Sequence, residues 1–116
     1  MLREMLTGKL HRGTVTECRL DYEGSLTVDP DLIDAAGMLV NQKIQVLNIN
    51  NGNRIETYII SGDRGSRQLM VNGAAARLFH KADRIIVCAF GYMDDAEARA
   101  VRPKIVLLDE QNRTIG

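Results

Sequence analysis

Polar and apolar residues alternate along much of this chain. From Lys9 to Leu20 β-branched residues alternate with polar ones, and a similar two-residue period returns over Lys43–Ile49 and Arg54–Ile60. That period puts one row of side chains on each face of an extended strand. Asn50-Asn51-Gly52-Asn53 separates the last two runs and predicts a hairpin, because Asn-Gly accepts the left-handed backbone of a tight turn. Arg54, Glu56 and Tyr58 then share one face, with Ile55, Thr57 and Ile59 on the other. Further strands are predicted at residues 1–6, Leu26–Val28, Gln68–Val71, Arg84–Phe90 and Lys104–Leu108. Arg84–Phe90 is apolar almost throughout, which suits a strand buried on both faces.

Helical signals are few and short. Asp29 is a candidate N-cap, Pro30 suits the first helical position, and Gly37 is the natural stop. Asn72-Gly73-Ala74-Ala75-Ala76 predicts a turn leading into helix, and Asp94–Arg99 one or two helical turns. Many short strands with a few short helices predict a mainly β fold. A compact barrel is expected, since closure removes exposed strand edges. With 116 residues the chain should form a single domain, 1–116.

Composition narrows the partners. Lys+Arg and Asp+Glu balance at 15 each, so the basic excess of a nucleic-acid binder is missing. Cys18 and Cys88 are far apart, and neither they nor His11 and His80 have metal-ligand spacing. The charged N-terminus lacks the apolar run of a signal peptide, and no stretch is long enough to span a membrane. The reading is a cytoplasmic protein with no metal, nucleic-acid or membrane partner.

One dipeptide carries unusual chemical potential. In Tyr22-Glu23-Gly24-Ser25 the Ser25 hydroxyl lies one bond rotation from the Gly24 carbonyl, which no Cβ hinders. Attack there moves the acyl group from nitrogen to oxygen, and β-elimination then cuts the chain. Hydrolysis of the resulting dehydroalanine leaves a pyruvoyl ketone, a built-in electrophile. Gly65-Ser66 is an equivalent pair, and for an isolated Gly-Ser the ordinary reading is a plain turn.

The surroundings distinguish the first pair. Gly8-Lys9-Leu10-His11-Arg12, Tyr22-Glu23-Gly24-Ser25, Asp34-Ala35-Ala36-Gly37, Asn51-Gly52 with Arg54 and Thr57-Tyr58, Arg64-Gly65-Ser66-Arg67, Asn72-Gly73-Ala74-Ala75-Ala76 and Glu97-Ala98-Arg99 occur in that order. Together they resemble the pyruvoyl-dependent aspartate 1-decarboxylases of pantothenate biosynthesis, from the first residues to about Pro103. The segment after Lys104 carries no recognised functional motif and is expected to pack or fray.

The resemblance implies a double-psi β-barrel and a homotetramer with active sites between subunits. It implies self-cleavage between Gly24 and Ser25 into chains 1–24 and 25–116. It further implies that L-aspartate loses carbon dioxide to become β-alanine, through a Schiff base with a pyruvoyl group made from Ser25. No metal or pyridoxal phosphate is then expected, and the need for a maturation factor stays open. By the same resemblance Thr57 polarises the Gly24 carbonyl during processing, and Tyr58 protonates the α-carbon. Phenols keep their proton at neutral pH, which suits donation.

The remaining roles concern substrate. The resemblance implies that Arg54, with its bidentate fork, and Lys9, a point charge, bind the two carboxylates, with His11 assisting. Tyr22, Asn72 and the amides of Gly73, Ala74 and Ala75, together with Thr57, match positions around the substrate and the new chain end. Thr57 and Tyr58 pose a problem, because neighbours on a strand point to opposite faces. Either the strand is irregular there or the two serve sites shared with different subunits. Two other classes compete: a non-catalytic β-barrel module that binds a ligand or partner, and a self-cut hydrolase using a free N-terminal Ser25.

Overall fold

The computed structural model describes residues 1–116. Eight strands form one sheet in the order β2-β6-β3-β5-β4-β7-β1-β8. In chain order they are β1 (Arg3–Thr14), β2 (Glu17–Arg19), β3 (Ser25–Val28), β4 (Lys43–Asn48), β5 (Arg54–Ser61), β6 (Leu69–Asn72), β7 (Arg84–Met93) and β8 (Lys104–Leu107). Helix α1 (Pro30–Ala35), a 3-10 turn (Gly73–Leu78) and α2 (Asp95–Ala100) complete the chain. The fold is mainly β with a few short helices, as the alternation predicts.

Two strands differ from expectation. The predicted strands at 1–6 and from Lys9 onward merge into the twelve-residue β1, which ends at Thr14. Its antiparallel ladder with β7 shifts register at Thr7 and Arg12, as β-bulges do, and β8 pairs in parallel with the Gly8–His11 stretch between them. β7 is not buried on both faces. Ile85, Val87 and Ala89 are buried, whereas Ile86, Cys88 and Phe90 are only half-buried. Apolar composition cannot separate those cases, since a half-buried outer face also accepts apolar side chains.

The core is aliphatic, with Leu10, Val28, Val46, Ile59, Ile85 and Val87 completely or almost completely enclosed. Burying each contributes roughly 1.5–3 kcal/mol against chain entropy. Gly8 shows how tightly α1 docks on β1, for a Cβ there would lie 2.2 Å from the Ala36 carbonyl oxygen. The C-terminal segment packs as well. Buried Asn112 donates to the carbonyls of Thr14 and Arg67 at 2.9 Å, and its Oδ1 accepts from the Thr14 amide.

Strand β3, which begins at the candidate cleavage residue, is buried along its whole length between β5 and β6. Its far end is fixed by Asp29. That carboxylate caps α1 through the Asp31 amide and accepts the amides of Gly65 and Arg67, at 2.8–3.0 Å. Burial alone would raise the Asp29 pKa; the three backbone donors, with Arg64 nearby, hold it below the ordinary carboxylate value. A depressed folded-state pKa means stability present above the unfolded pKa and lost as pH falls through the folded one. Asp29→Asn should therefore lower the unfolding midpoint at pH 7 and flatten its decline in acid. Hydrogen bonds to a charged group contribute about 1.5–3 kcal/mol each. Urea unfolding from pH 7 to pH 3 checks this; an unchanged acid slope would refute the role given to Asp29.

Candidate active site

Ser25 is fully buried, while Gly24 beside it is exposed and open on its Cβ side. The chain turns sharply here because β3 starts at Ser25 and pairs it at once with Asn72 of β6. The Ser25 hydroxyl donates to the Glu23 carbonyl at 2.9 Å, folding back across the Gly24 residue. Its oxygen accepts from Asn72 Nδ2 at 3.1 Å. Ser66 of the second Gly-Ser pair is instead exposed, and its hydroxyl donates to the Asp63 carbonyl within a polar turn. Both hydroxyls are bonded, so burial and the contact with buried Asn72 are what separate two dipeptides that are identical in sequence.

The loop after β6 closes over Gly24. Gly73 has φ +73°, and a Cβ on it would lie 2.6 Å from the Gly24 Cα and 3.1 Å from the Tyr22 carbonyl oxygen. Only glycine permits that approach. Ala74 and Ala75 then line a cavity of about 310 Å³ with Gly24, Thr57, Ile55, Glu56 and Leu78. The structure therefore groups Gly24, Ser25, Thr57, Asn72, Gly73, Ala74 and Ala75. Tyr22 joins through its backbone; its ring is exposed, with the Arg19 guanidinium 5.5 Å from its centroid.

A second group sits elsewhere. Register aligns Lys9 with Cys88, Gln45 and Glu56, and His11 with Ile86, Leu47 and Arg54. Directly paired residues share a face of the sheet, so these rows lie opposite core residues such as Leu10 and Val46. Tyr58 pairs with Lys43 and extends the same face. Arg54 donates weakly to Gln45 Oε1 at 3.4 Å and lines a cavity of about 430 Å³ with Glu4, Gln45, Glu56 and Tyr92. His11 borders another, of about 520 Å³, with Arg12, Arg84 and the C-terminal segment. Burial lowers the His11 pKa, and Lys9 and Arg12 lower it further, so a neutral imidazole is favoured. None of Lys9, His11, Arg54 and Tyr58 lines the Gly24 cavity.

Thr57 and Tyr58 diverge as alternation requires. β5 changes partners between them and its end: residues 54–58 pair with β4, and Ile59–Ser61 pair with β3. The switch brings the β5 edge at Thr57 beside Gly24 without turning Tyr58 toward it. The sequence reading gave Thr27 no role and weighed Cys88 only as a metal ligand. Thr27 lies two residues from Ser25 on one strand, so the two-residue period alone marks it as sharing the Ser25 face. Cys88 sits between Lys9 and Gln45; burial raises its thiol pKa while Lys9 and Arg54 pull it down.

A sequence model of the family described as aspartate decarboxylase matches residues 1–115. The chain belongs to the aspartate decarboxylase family. Within that family, the aspartate 1-decarboxylase of Heliobacterium modesticaldum is 56% identical over 116 residues, covering 100% of this chain and 88% of that protein. Those of Bacillus velezensis and Bacillus subtilis are each 54% identical over 113 residues, 97% of this chain and 89% of theirs. The match extends beyond Pro103, so the C-terminal segment is part of the family pattern as well as of the fold. No helix is long and apolar enough to cross a membrane.

Proposed function

We infer that this family member decarboxylates L-aspartate to β-alanine and carbon dioxide, supplying β-alanine for pantothenate biosynthesis. The observation that carries the reading is the fully buried Ser25, whose hydroxyl is held against its own turn beside an open Gly24. A pyruvoyl group at position 25 fits these surroundings. Asn72 presents an uncharged amide donor and the Gly73 cradle leaves room for the chain at Gly24.

The chain's own atoms account for its formation. Ser25 Oγ bonds to the Gly24 carbonyl carbon as the Gly24–Ser25 C–N bond breaks, and the hydroxyl proton ends on the Ser25 nitrogen. Loss of the Ser25 α-proton then expels the Gly24 carboxylate. Water releases the nitrogen as ammonia, leaving the ketone. Thr57 polarises the Gly24 carbonyl in this reading, which its position lining the same cavity supports. The fold carrying these steps is a single double-psi β-barrel domain, cut into 1–24 and 25–116.

The group supplies an electron sink for the α-carbon after carbon dioxide departs. Arg54 and Lys9 bind the substrate carboxylates, neutral His11 contributes hydrogen bonds, and Tyr58 supplies the proton. Tyr22, Asn72 and the 73–75 amides orient substrate and chain end. Because Lys9, His11, Arg54 and Tyr58 lie away from the Gly24 cavity, a homotetramer with sites between subunits fits this division. An intact-mass spectrum tests the reading. Two chains are expected, the larger reactive to hydrazines and blocked to amine reagents, with carbon dioxide released from aspartate. An uncut, inactive protein after long incubation would favour a binding module; a free amine on residue 25 would favour a hydrolase.

A further inference from the structure

Thr27 has a hydroxyl in the core and no role in the reactions above. It is 4% exposed, on the same face of β3 as Ser25. Opposite them Asn72 is fully buried, and its Nδ2 carries two protons. One goes to Ser25 Oγ at 3.1 Å and the other to Thr27 Oγ1 at 2.8 Å. The Asn72 Oδ1 is buried without a partner. The amide is therefore anchored by its nitrogen end alone, and the shorter of its two bonds is to Thr27.

We propose that Thr27 is a positioning residue for self-cleavage, anchoring the Asn72 amide so that its N–H holds the Ser25 oxygen ready to attack the Gly24 carbonyl. The inference rests on the reading of Gly24–Ser25 as the cut site. Ser25 Oγ has one proton and two lone pairs. The proton is directed to the Glu23 carbonyl and one lone pair accepts from Asn72, which leaves the other for attack. Without the Thr27 oxygen, one Asn72 proton is orphaned in the core and the amide loses its preferred orientation. Turned about, it would set Oδ1 against the Ser25 oxygen and compete with Glu23 for the hydroxyl proton. The reacting oxygen would then be held less often in a near-attack geometry. Thr27 touches no reacting atom and acts only through Asn72.

Thr27→Val keeps the branched shape and removes only the hydroxyl; Thr27→Ser restores the hydroxyl and removes the methyl. Cleavage of freshly purified full-length chain is followed by gel and intact mass, beside thermal melting. Thr27→Val should cut about tenfold slower or more, the effect of losing one buried hydrogen bond from the reactive arrangement. Thr27→Ser should cut within a few-fold of the parent. In an Asn72→Ala background Thr27→Val should slow cleavage no further, since the intermediary is gone. Parental cleavage by Thr27→Val, a Thr27→Ser as slow as Thr27→Val, or additive slowing with Asn72→Ala would each overturn the proposal. Should Thr27→Val not fold, Thr27→Ala takes its place under the same criteria. Ser25→Ala is the control: if it is cut, the cleavage reading itself falls, whereas an uncut control beside a normally cut Thr27→Val removes Thr27 alone.

Discussion

Ser25→Ala should yield one uncut chain of 116 residues with no decarboxylase activity. The substitution deletes the oxygen held by Glu23 and Asn72 and nothing else. Ser25 is completely buried in a strand paired on both sides, and alanine fits that space without strain. The fold should survive, so lost activity cannot be ascribed to unfolding; near-parental melting and an unchanged far-ultraviolet spectrum check this. Gel analysis and hydrazine labelling report cleavage and ketone content. The expected effect is complete, because no other hydroxyl contacts this turn in the same way: Ser66 is exposed and bonded within its own loop. Decarboxylation by an uncut Ser25→Ala protein would refute the mechanism.

The second large effect separates making the electrophile from using it. Thr57→Val retains shape and strand preference but removes the hydroxyl of a residue that lines the Gly24 cavity, so precursor should accumulate. Any matured fraction should keep substantial activity per ketone. Tyr58→Phe retains the half-exposed ring on the outer face and loses the acid. It should cut normally and turn over aspartate about 10²–10⁴-fold more slowly, the usual cost of a positioned acid. The structure adds a reason for expecting the effects to separate, since Thr57 lines the Gly24 cavity and Tyr58 does not. Uncut Tyr58→Phe together with cut but inactive Thr57→Val would exchange the two roles.

Much of this was legible in the chain, for local reasons. Two-residue alternation marked the strand faces, and Asn51-Gly52 marked the hairpin between β4 and β5. Asp29-Pro30 marked the start of α1, where Asp29 does cap the helix. The ordered motifs named the family, because ordered short matches are specific even when each is weak alone. What alternation could not specify was which apolar face is covered. β7 therefore read as doubly buried although its Ile86, Cys88 and Phe90 row is half-buried.

By itself the sequence determined a mainly β chain, its short helices, its family and the residue types needed for the chemistry. These depend on neighbours in the chain, on spacing and on motif order. It also showed that Thr57 and Tyr58 must face apart, a consequence of strand geometry. Motif order already singled out Gly24-Ser25 over Gly65-Ser66; only the tertiary structure supplied the physical difference, a β3–β6 pairing that buries one serine against Asn72, 47 positions away. It alone set Thr27 on the other proton of that amide and made the tail part of the core edge through Asn112. It also showed which residues meet Gly24: Thr57 lines that cavity, Lys9, His11, Arg54 and Tyr58 do not, and Glu56 borders both it and the Arg54 cavity. Each of these depends on contacts between segments distant in the chain, which local periodicity does not encode.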